Sequence, residues 1–316
     1  MDIGLLMIAP VLLGALVGAA LLVWWERRLL GWWQDRLGPN RVGPFGSLQI
    51  VADMLKLLTK DDWIPPFADR VIFTLAPAAV VAGMLMGFVV VPFGPGLHVV
   101  DLNIGLLFFL AMTSLAVYGV LLAGLASNNK YSLLGGLRSA AQMVTYEVFM
   151  GLSIMGVVIL TGSFNLSEIV RAQQDVWFCV PQILGLVVFT LAGIAEAHRL
   201  PFDLPEAEHE LTAGYHTEYS GMKFGLIMIG EYMSVILTSA IMVTLFFGGW
   251  LGPDFLPPIV WFTAKTALII CFFVLLRAAI PRPRYDQLMS LGWKYLLPIT
   301  LFNLLITGAL ALRGSA

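Results

Sequence analysis

The sequence predicts an all-α, polytopic integral membrane protein of about eight transmembrane helices, a single domain over residues 1–316 with long cytoplasmic loops. Three observations predict it. Hydrophobic residues make up 59% of the chain and charged residues only 12%, about half of the roughly 25% charge typical of soluble domains. Predominantly apolar runs of about 20 residues, the length a helix needs to cross a bilayer, recur along the chain. Lysine and arginine gather in alternate connections between those runs.

The first run, 3–25, is longer than a signal-peptide core, lacks a basic leader, and ends at Glu26-Arg27-Arg28 rather than at a small-residue cleavage site. It reads as a retained transmembrane helix. The connection from Glu26 to Arg70 opens with RLGPNRVGPFGS, whose Gly-Pro pairs force turns. In LQIVADMLKLLTK, Leu48, Val51, Met54, Leu55 and Leu58 recur at spacings of three and four, with Asp53, Lys56 and Lys60 between them. This is a short amphipathic helix that either lies at the membrane surface, which its length favours, or packs against the bundle. The paired prolines of DDWIPPFADR end it. Further spans are expected at 71–93, 103–126, 143–161, 178–197, 224–247, 258–279 and 294–312. Gly14/Gly18 and Gly83/Gly87 allow close helix approach.

Orientation follows from charge. With the odd-numbered connections in the cytoplasm, that side holds fifteen Lys and Arg, against Arg171 and Arg313 on the other; Lys265 lies inside a span. Both termini are then outside, periplasmic in a bacterial inner (plasma) membrane. A net charge of −2 gives no reason to expect nucleic-acid binding. Cys179 and Cys271 are far apart, whereas an iron–sulfur cluster takes four cysteines and a zinc ribbon takes CxxC pairs. No GxGxxG or GxxxxGKS occurs, so no metal, flavin or nicotinamide site is expected on this chain. Any electron carriers belong to other subunits.

The chemistry concentrates between Ala195 and Glu231, which hold seven of the twenty acidic residues: Glu196, Asp203, Glu206, Glu208, Glu210, Glu218 and Glu231. A charge inside hydrocarbon costs roughly 2.5–3.5 kcal/mol on insertion scales, so it normally has a task or a partner. Glu147, Glu196 and Glu231 fall in or at the edge of three consecutive spans. Each alone reads equally well as a structural glutamate bonded across helices; three together, with an acidic loop between two of them, favour a proton relay. Glu206 and His209 have the ExxH spacing of di-iron bundles, but such a site needs two copies and further glutamates. His198 and His216 read as polar loop residues or helix-end partners. Arg27, Arg28, Arg36 and Arg41 after the first span, and Arg277, Arg282 and Arg284 after the seventh, are either positive-inside anchors or a polar mouth that docks an extrinsic subunit and admits a polar-headed lipid.

The stretches ERRLLGWWQDRLGPNRVGPFG, ADMLKLLTKDDWIPP, LRSAAQMVTYEVFMGLS, AEAHRLPFDLPEAEHELTAGYHTEYSGMKFG and RPRYDQLMSLGWK resemble, in order, the H-subunit family of the proton-pumping NADH–quinone oxidoreductases, respiratory complex I. Membrane subunits of energy-converting hydrogenases are less similar around GYHTEYSGMKF. A stand-alone transporter would show inverted repeats, and none is detected. The resemblance implies a subunit without its own redox centre that takes quinone as substrate. It would form the quinone chamber with hydrophilic iron–sulfur and quinone-site subunits, beside small and antiporter-like membrane subunits in the bilayer. On matching positions, Glu26, Arg27, Arg36, Asp53 and Lys56 would line or gate the chamber, with Phe224 and Arg277 beside them. Glu147, Glu196 and Glu231 would begin the proton path. Asp203, Glu206, Glu208, Glu210 and Glu218 would form the coupling loop, paired with Arg138 and Arg199. Asp61 departs from the usual glutamate, His198 from asparagine, and His209 occupies a variable site.

Overall fold

The computed structural model describes residues 3–206 and 208–314, and among these every regular element is a helix. Helix α1 (Ile3–Trp33) runs past the expected boundary at residue 25, so Glu26, Arg27 and Arg28 stand on a helix face. Helix α2 (Gln49–Thr59) keeps Leu48, Val51, Leu55 and Leu58 exposed along one stripe, while half-buried Ile50, Met54 and Leu57 face α1 and α9 (Gly221–Phe246). It thus packs against the bundle on one side and leaves an apolar stripe exposed on the other. Asp69 caps α3 (Arg70–Gly87), accepting hydrogen bonds from the Val71 and Ile72 amides at 3.0 and 3.1 Å. Helix α4 (Gly105–Ala126) and the long α5 (Lys130–Thr161) follow; Asn129 caps α5 by accepting from the Tyr131 amide at 3.0 Å. Beyond the short α6 (Leu166–Arg171) come α7 (Ile183–Glu196), α8 (Glu208–Leu211), α9 and α10 (Pro258–Ala279). Helix α11 (Tyr285–Leu291) continues through a π-helical turn, Gly292–Leu296, into α12 (Leu297–Gly314).

Seven helices among the described residues are long and apolar enough to cross a membrane. The expected span 178–197 differs from the others, because only Ile183–Glu196, 14 residues, is helical there. At about 1.5 Å per residue this reaches about 21 Å, well short of a hydrocarbon core of about 30 Å. Helix α7 runs antiparallel to the C-terminal half of α9. The Cys179 amide donates to Phe246 O at 2.9 Å, Thr190 Oγ1 to Met242 Sδ at 3.9 Å, and Gly193 faces Thr238. Between α7 and α9 the described chain runs through irregular backbone, the one-turn α8 and a 3-10 turn at Gly214–His216. There Phe202, Leu204, Leu211 and Tyr215 are buried, and Ser132 Oγ donates to Tyr215 O at 2.9 Å. Non-helical backbone at such depth is tolerated only where protein covers it. Gln142 on α5 supplies part of that cover, donating to Ala195 O at 2.7 Å and Phe202 O at 2.8 Å.

Two other boundaries move. Helix α5 starts at Lys130 instead of 143, because Lys130 and Arg138 depress the hydropathy of a segment that is nonetheless helical. The last span begins at Tyr285 instead of 294, with Arg284 at its N-cap and Asp286 on its first turn. Helix α9 is the most deeply buried of the seven, with α1, α2, α3, α7 and α10 around it. Gly230 permits the approach of α3, since a β-carbon there would stand 2.7 Å from Val80 Cγ1. A smaller apolar core of Phe73, Val80, Val120, Tyr215, Tyr219 and Ile227 lies beneath the irregular segment, and the Phe73 and Tyr219 rings stack at 4.0 Å. The site is built on this end of the bundle, called here the loop end.

Candidate functional site

Helix α1 delivers Glu26 to the loop end, where it is buried. Its carboxylate accepts a hydrogen bond from Arg277 of α10, and the Arg199 guanidinium stands 3.8 Å away. Arg199 also stacks over the Tyr232 ring, with Cζ 4.0 Å from the centroid. One carboxylate thus faces two guanidinium groups, a locally positive knot held by three helices and the loop. Across Tyr232 lies a cavity of about 280 Å³ between α1, α2 and α9. Ile50, Met54, Leu57, Met228 and Ile229 form its apolar wall, and Arg27, Asp53 and Lys56 its polar edge. Asp53 accepts from Arg27 at 2.9 Å and from Gln49 at 3.1 Å, with Lys56 Nζ at 3.7 Å.

Of the residues expected around a chamber, Arg27, Asp53, Lys56 and Phe224 line this cavity, while Glu26 and Arg277 sit behind Tyr232. Arg36 is not brought to either. It is exposed in the turn after α1 and donates to Gln34 at 2.8 Å.

The acidic loop is tied down residue by residue. Asp203 accepts from Arg282 at 2.8 Å, Glu210 from Arg138 at 2.5 Å, and Glu218 from Asn129 Nδ2 at 2.7 Å. The Glu208 and His209 side chains lie outside the described residues. Arg138 therefore pairs with a loop carboxylate as expected, whereas the ion pair of Arg199 is with Glu26 on α1. Arg199 can reach Glu26 because the loop lies inside the bundle, which sequence spacing does not reveal. Burial, reinforced by the nearby Glu206 charge, raises the Asp203 carboxyl to about 7 despite its pairing with Arg282. Burial pushes Glu206 the same way, but its hydrogen bond with Glu231 and the proximity of His216, His198 and Arg199 outweigh it, leaving Glu206 below its ordinary value. His198, enclosed and bonded to Ser139 Oγ at 2.7 Å, is held down near 4, chiefly by burial.

Two carboxylate groupings result. Glu231 on α9 accepts from Tyr215 Oη at 2.5 Å; the same hydroxyl is 3.3 Å from Glu206, which has His216 Nδ1 at 3.8 Å. Nearer the far end, Glu147 on α5 accepts from Ser114 Oγ, and Thr113 Oγ1 lies 3.5 Å away. Glu196 at the end of α7 has its Oε2 buried without a hydrogen-bond partner. Sequence reasoning alone misses Tyr215, Thr113 and Ser114. The two α4 hydroxyls lie in an otherwise apolar span, and only their position opposite Glu147 marks them. Glu147, Glu196, Glu206 and Glu231 are thus gathered within α5, α7, α9 and the loop, with hydroxyls beside Glu147, Glu206 and Glu231. Such an arrangement can take up, hold and pass protons. Among the described residues no group of three or more His, Cys, Asp or Glu is disposed to hold a metal ion.

The sequence matches the profile of a family described as NADH dehydrogenase over residues 6–308. It is also similar to the H subunit of the NADH-quinone oxidoreductase of Methylococcus capsulatus (strain ATCC 33009 / NCIMB 11132 / Bath), at 64% identity over 302 residues covering 96% of each chain.

Proposed function

The chain belongs to the NADH dehydrogenase family, and we propose that it serves as a membrane subunit of a proton-translocating NADH–quinone oxidoreductase. In this reading it forms part of the quinone chamber and the beginning of the proton path. The observation that carries the reading is the cavity between α1, α2 and α9, apolar on one wall and edged by Arg27, Asp53 and Lys56. A quinone presents the matching chemistry, an apolar tail and two carbonyl oxygens that accept hydrogen bonds from cations. The exposed apolar stripe of α2 beside the cavity supports an opening toward lipid, from which a quinone would arrive. Phe224 would contact the ring or tail, and the knot of Glu26, Arg277 and Arg199 would lie on the far side of Tyr232.

From there the carboxylates of the loop and of α9, α7 and α5 continue inward. Asp203, Glu206, Glu208, Glu210 and Glu218 act as the coupling loop, and Glu231, Glu196 and Glu147 as the first acidic steps toward neighbouring antiporter-like subunits. Hydrophilic iron–sulfur and quinone-site subunits dock on the loop end, which faces the cytoplasm of a bacterial cell and leaves both termini periplasmic. The electron carriers sit on those partners, and quinone reaches this chain as substrate.

The test is made in the assembled complex with Asp53→Asn and Lys56→Met. Each should raise the quinone KM about tenfold or more, the worth of one charged hydrogen bond, while NADH oxidation by a water-soluble acceptor stays unchanged. An unchanged quinone KM in both variants removes this cavity from the quinone site.

A further inference from the structure

Helix α2 carries two residues of the cavity edge, Asp53 and Lys56, yet none of its eleven residues is fully buried. An isolated helix of that length is marginal, and without a buried side chain its placement rests on its ties to α1 and α9. At the cavity edge the tie is the Arg27–Asp53 pair, whose arginine is half exposed, and exposed pairs hold weakly. The tie beyond the other end of α2 is of a different kind. Asp62 accepts a hydrogen bond from Lys223 Nζ of α9 at 2.6 Å. The Lys223 side chain is only 10% exposed, and its ammonium lies 5.7 Å from the centroid of the Phe73 ring. An ammonium so enclosed depends on its carboxylate partner far more than a solvated one does. We propose that the Asp62–Lys223 pair is a latch that holds the end of α2 against α9 and sets the opening of the cavity, which makes Lys223 a positioning residue for quinone. The proposal rests on the reading of that cavity as part of the quinone site.

Local structure brings the two elements within reach of the latch. Gly221 and Gly225 lie four residues apart, on one face of α9. A β-carbon on Gly221 would stand 3.3 Å from Lys60 O and 3.6 Å from Leu57 O, and one on Gly225 would stand 3.0 Å from Leu57 Cδ1. The last turn of α2 therefore rests directly on the start of α9. Ser220 Oγ adds a hydrogen bond to Asp61 O at 3.4 Å. Leu57 and Gly225 belong both to this contact and to the cavity lining, so a lift of α2 from α9 widens the cavity directly. A quinone held between the two helices stabilises the latched form, because only that form presents both walls at once. Without the ion pair a smaller fraction of molecules is latched at any moment, and apparent affinity falls with that fraction. Once bound, quinone meets the same groups as before, so turnover at saturation is kept.

The test is made in the assembled complex. Asp62→Asn and Lys223→Met should each raise the quinone KM at least about threefold while kcat stays at the wild-type level. The double variant should match Lys223→Met alone, because both changes remove the same interaction. Asp62→Glu keeps a carboxylate at an exposed position and should restore the wild-type KM. Lys223→Met leaves no unpaired buried charge, so it decides the matter if Asp62→Asn fails to assemble. An unchanged KM in Lys223→Met, a fall in kcat without a rise in KM, or single effects that add in the double variant overturns the latch. Asp53→Asn, measured alongside, separates this proposal from the reading beneath it. If Asp53→Asn raises the quinone KM and Lys223→Met does not, only the latch falls; if neither raises it, the cavity is not part of the quinone site and the latch falls with it.

Discussion

His198 illustrates how one enclosed side chain sets a pH response. Held near 4 against an ordinary 6.5, it stays neutral in the fold while an unfolded chain takes up a proton as pH falls through 6.5. The stability this represents is fully present above pH 6.5 and is lost between 6.5 and 4, amounting to about 3 kcal/mol at the lower limit. Asp203, raised to about 7, works in the opposite sense, because its protonation at falling pH favours the fold. The comparison must therefore be made with His198→Asn. That variant should lose less thermal stability than wild type on going from pH 6.5 to 4.5 in mild detergent, and equal losses would show that His198 is not the group responsible. The membrane glutamates respond to a different substitution. Glutamine keeps the shape of glutamate and abolishes titration, so Glu147→Gln, Glu196→Gln and Glu231→Gln should each assemble normally while translocation falls. Full pumping in all three would leave these residues a purely structural part, in which Glu147 merely accepts from Ser114 and Glu231 from Tyr215.

At the scale of elements, the segment from Ala197 to Ser220 stands in for the missing turns of α7, and this explains what the sequence could and could not show. Apolar run length located the seven long helices, because hydropathy integrates over about 20 residues. The same integration hid the break at 178–182, where residues as apolar as a helix form a turn anchored by Gln173 Oε1, which accepts from the Phe178 and Gly248 amides. It also hid the first turns of α5, where Arg138 pairs with the loop's Glu210 and the N-cap Asn129 donates to Glu218. The carboxylates were legible as costly residues; their pairings were not, since Arg199 meets Glu26 and Asp203 meets Arg282 only through the fold. Loop movement is open to direct test. In a background lacking Cys179 and Cys271, Asn129→Cys and Glu218→Cys replace a 2.7 Å contact between α5 and the loop. Bridging them with a short thiol crosslinker should suppress quinone-linked pumping at least several-fold, in line with a coupling energy of about 1–3 kcal/mol. If the bridged complex matches the unbridged one in both activities, the loop serves as a fixed seal.

For the whole molecule, what matters is which end of the bundle faces which compartment, since a path from a quinone cavity must begin on one side. The carboxylate–arginine knots, the cavity edge and the amphipathic α2 occupy the loop end, and the fifteen-to-two division of Lys and Arg is the ground for the proposal that this end faces the cytoplasm. Helix α7 complicates a simple count of spans. Taken as a helix alone it does not cross, which would leave seven crossings and termini on opposite sides; taken with the buried segment that follows, it completes an eighth and returns both termini to one side. The contacts favour the second, because α7 starts beside Phe246 at one end of α9 and the segment after it delivers the chain to Gly221 at the other. Single cysteines in the same cysteine-free background distinguish the two. Lys130→Cys and Ser163→Cys mark the two ends of α5, whose 32 residues span about 48 Å at 1.5 Å per residue. Asp254→Cys marks the connection after α9. In sealed cells a membrane-impermeant thiol reagent should label positions 163 and 254 and spare position 130, which reacts only after permeabilisation. Labelling of 163 without 254 would mean that α7 does not carry the chain across. Labelling of 130 in sealed cells would invert the orientation and put the acidic loop on the wrong side for a cytoplasmic quinone chamber.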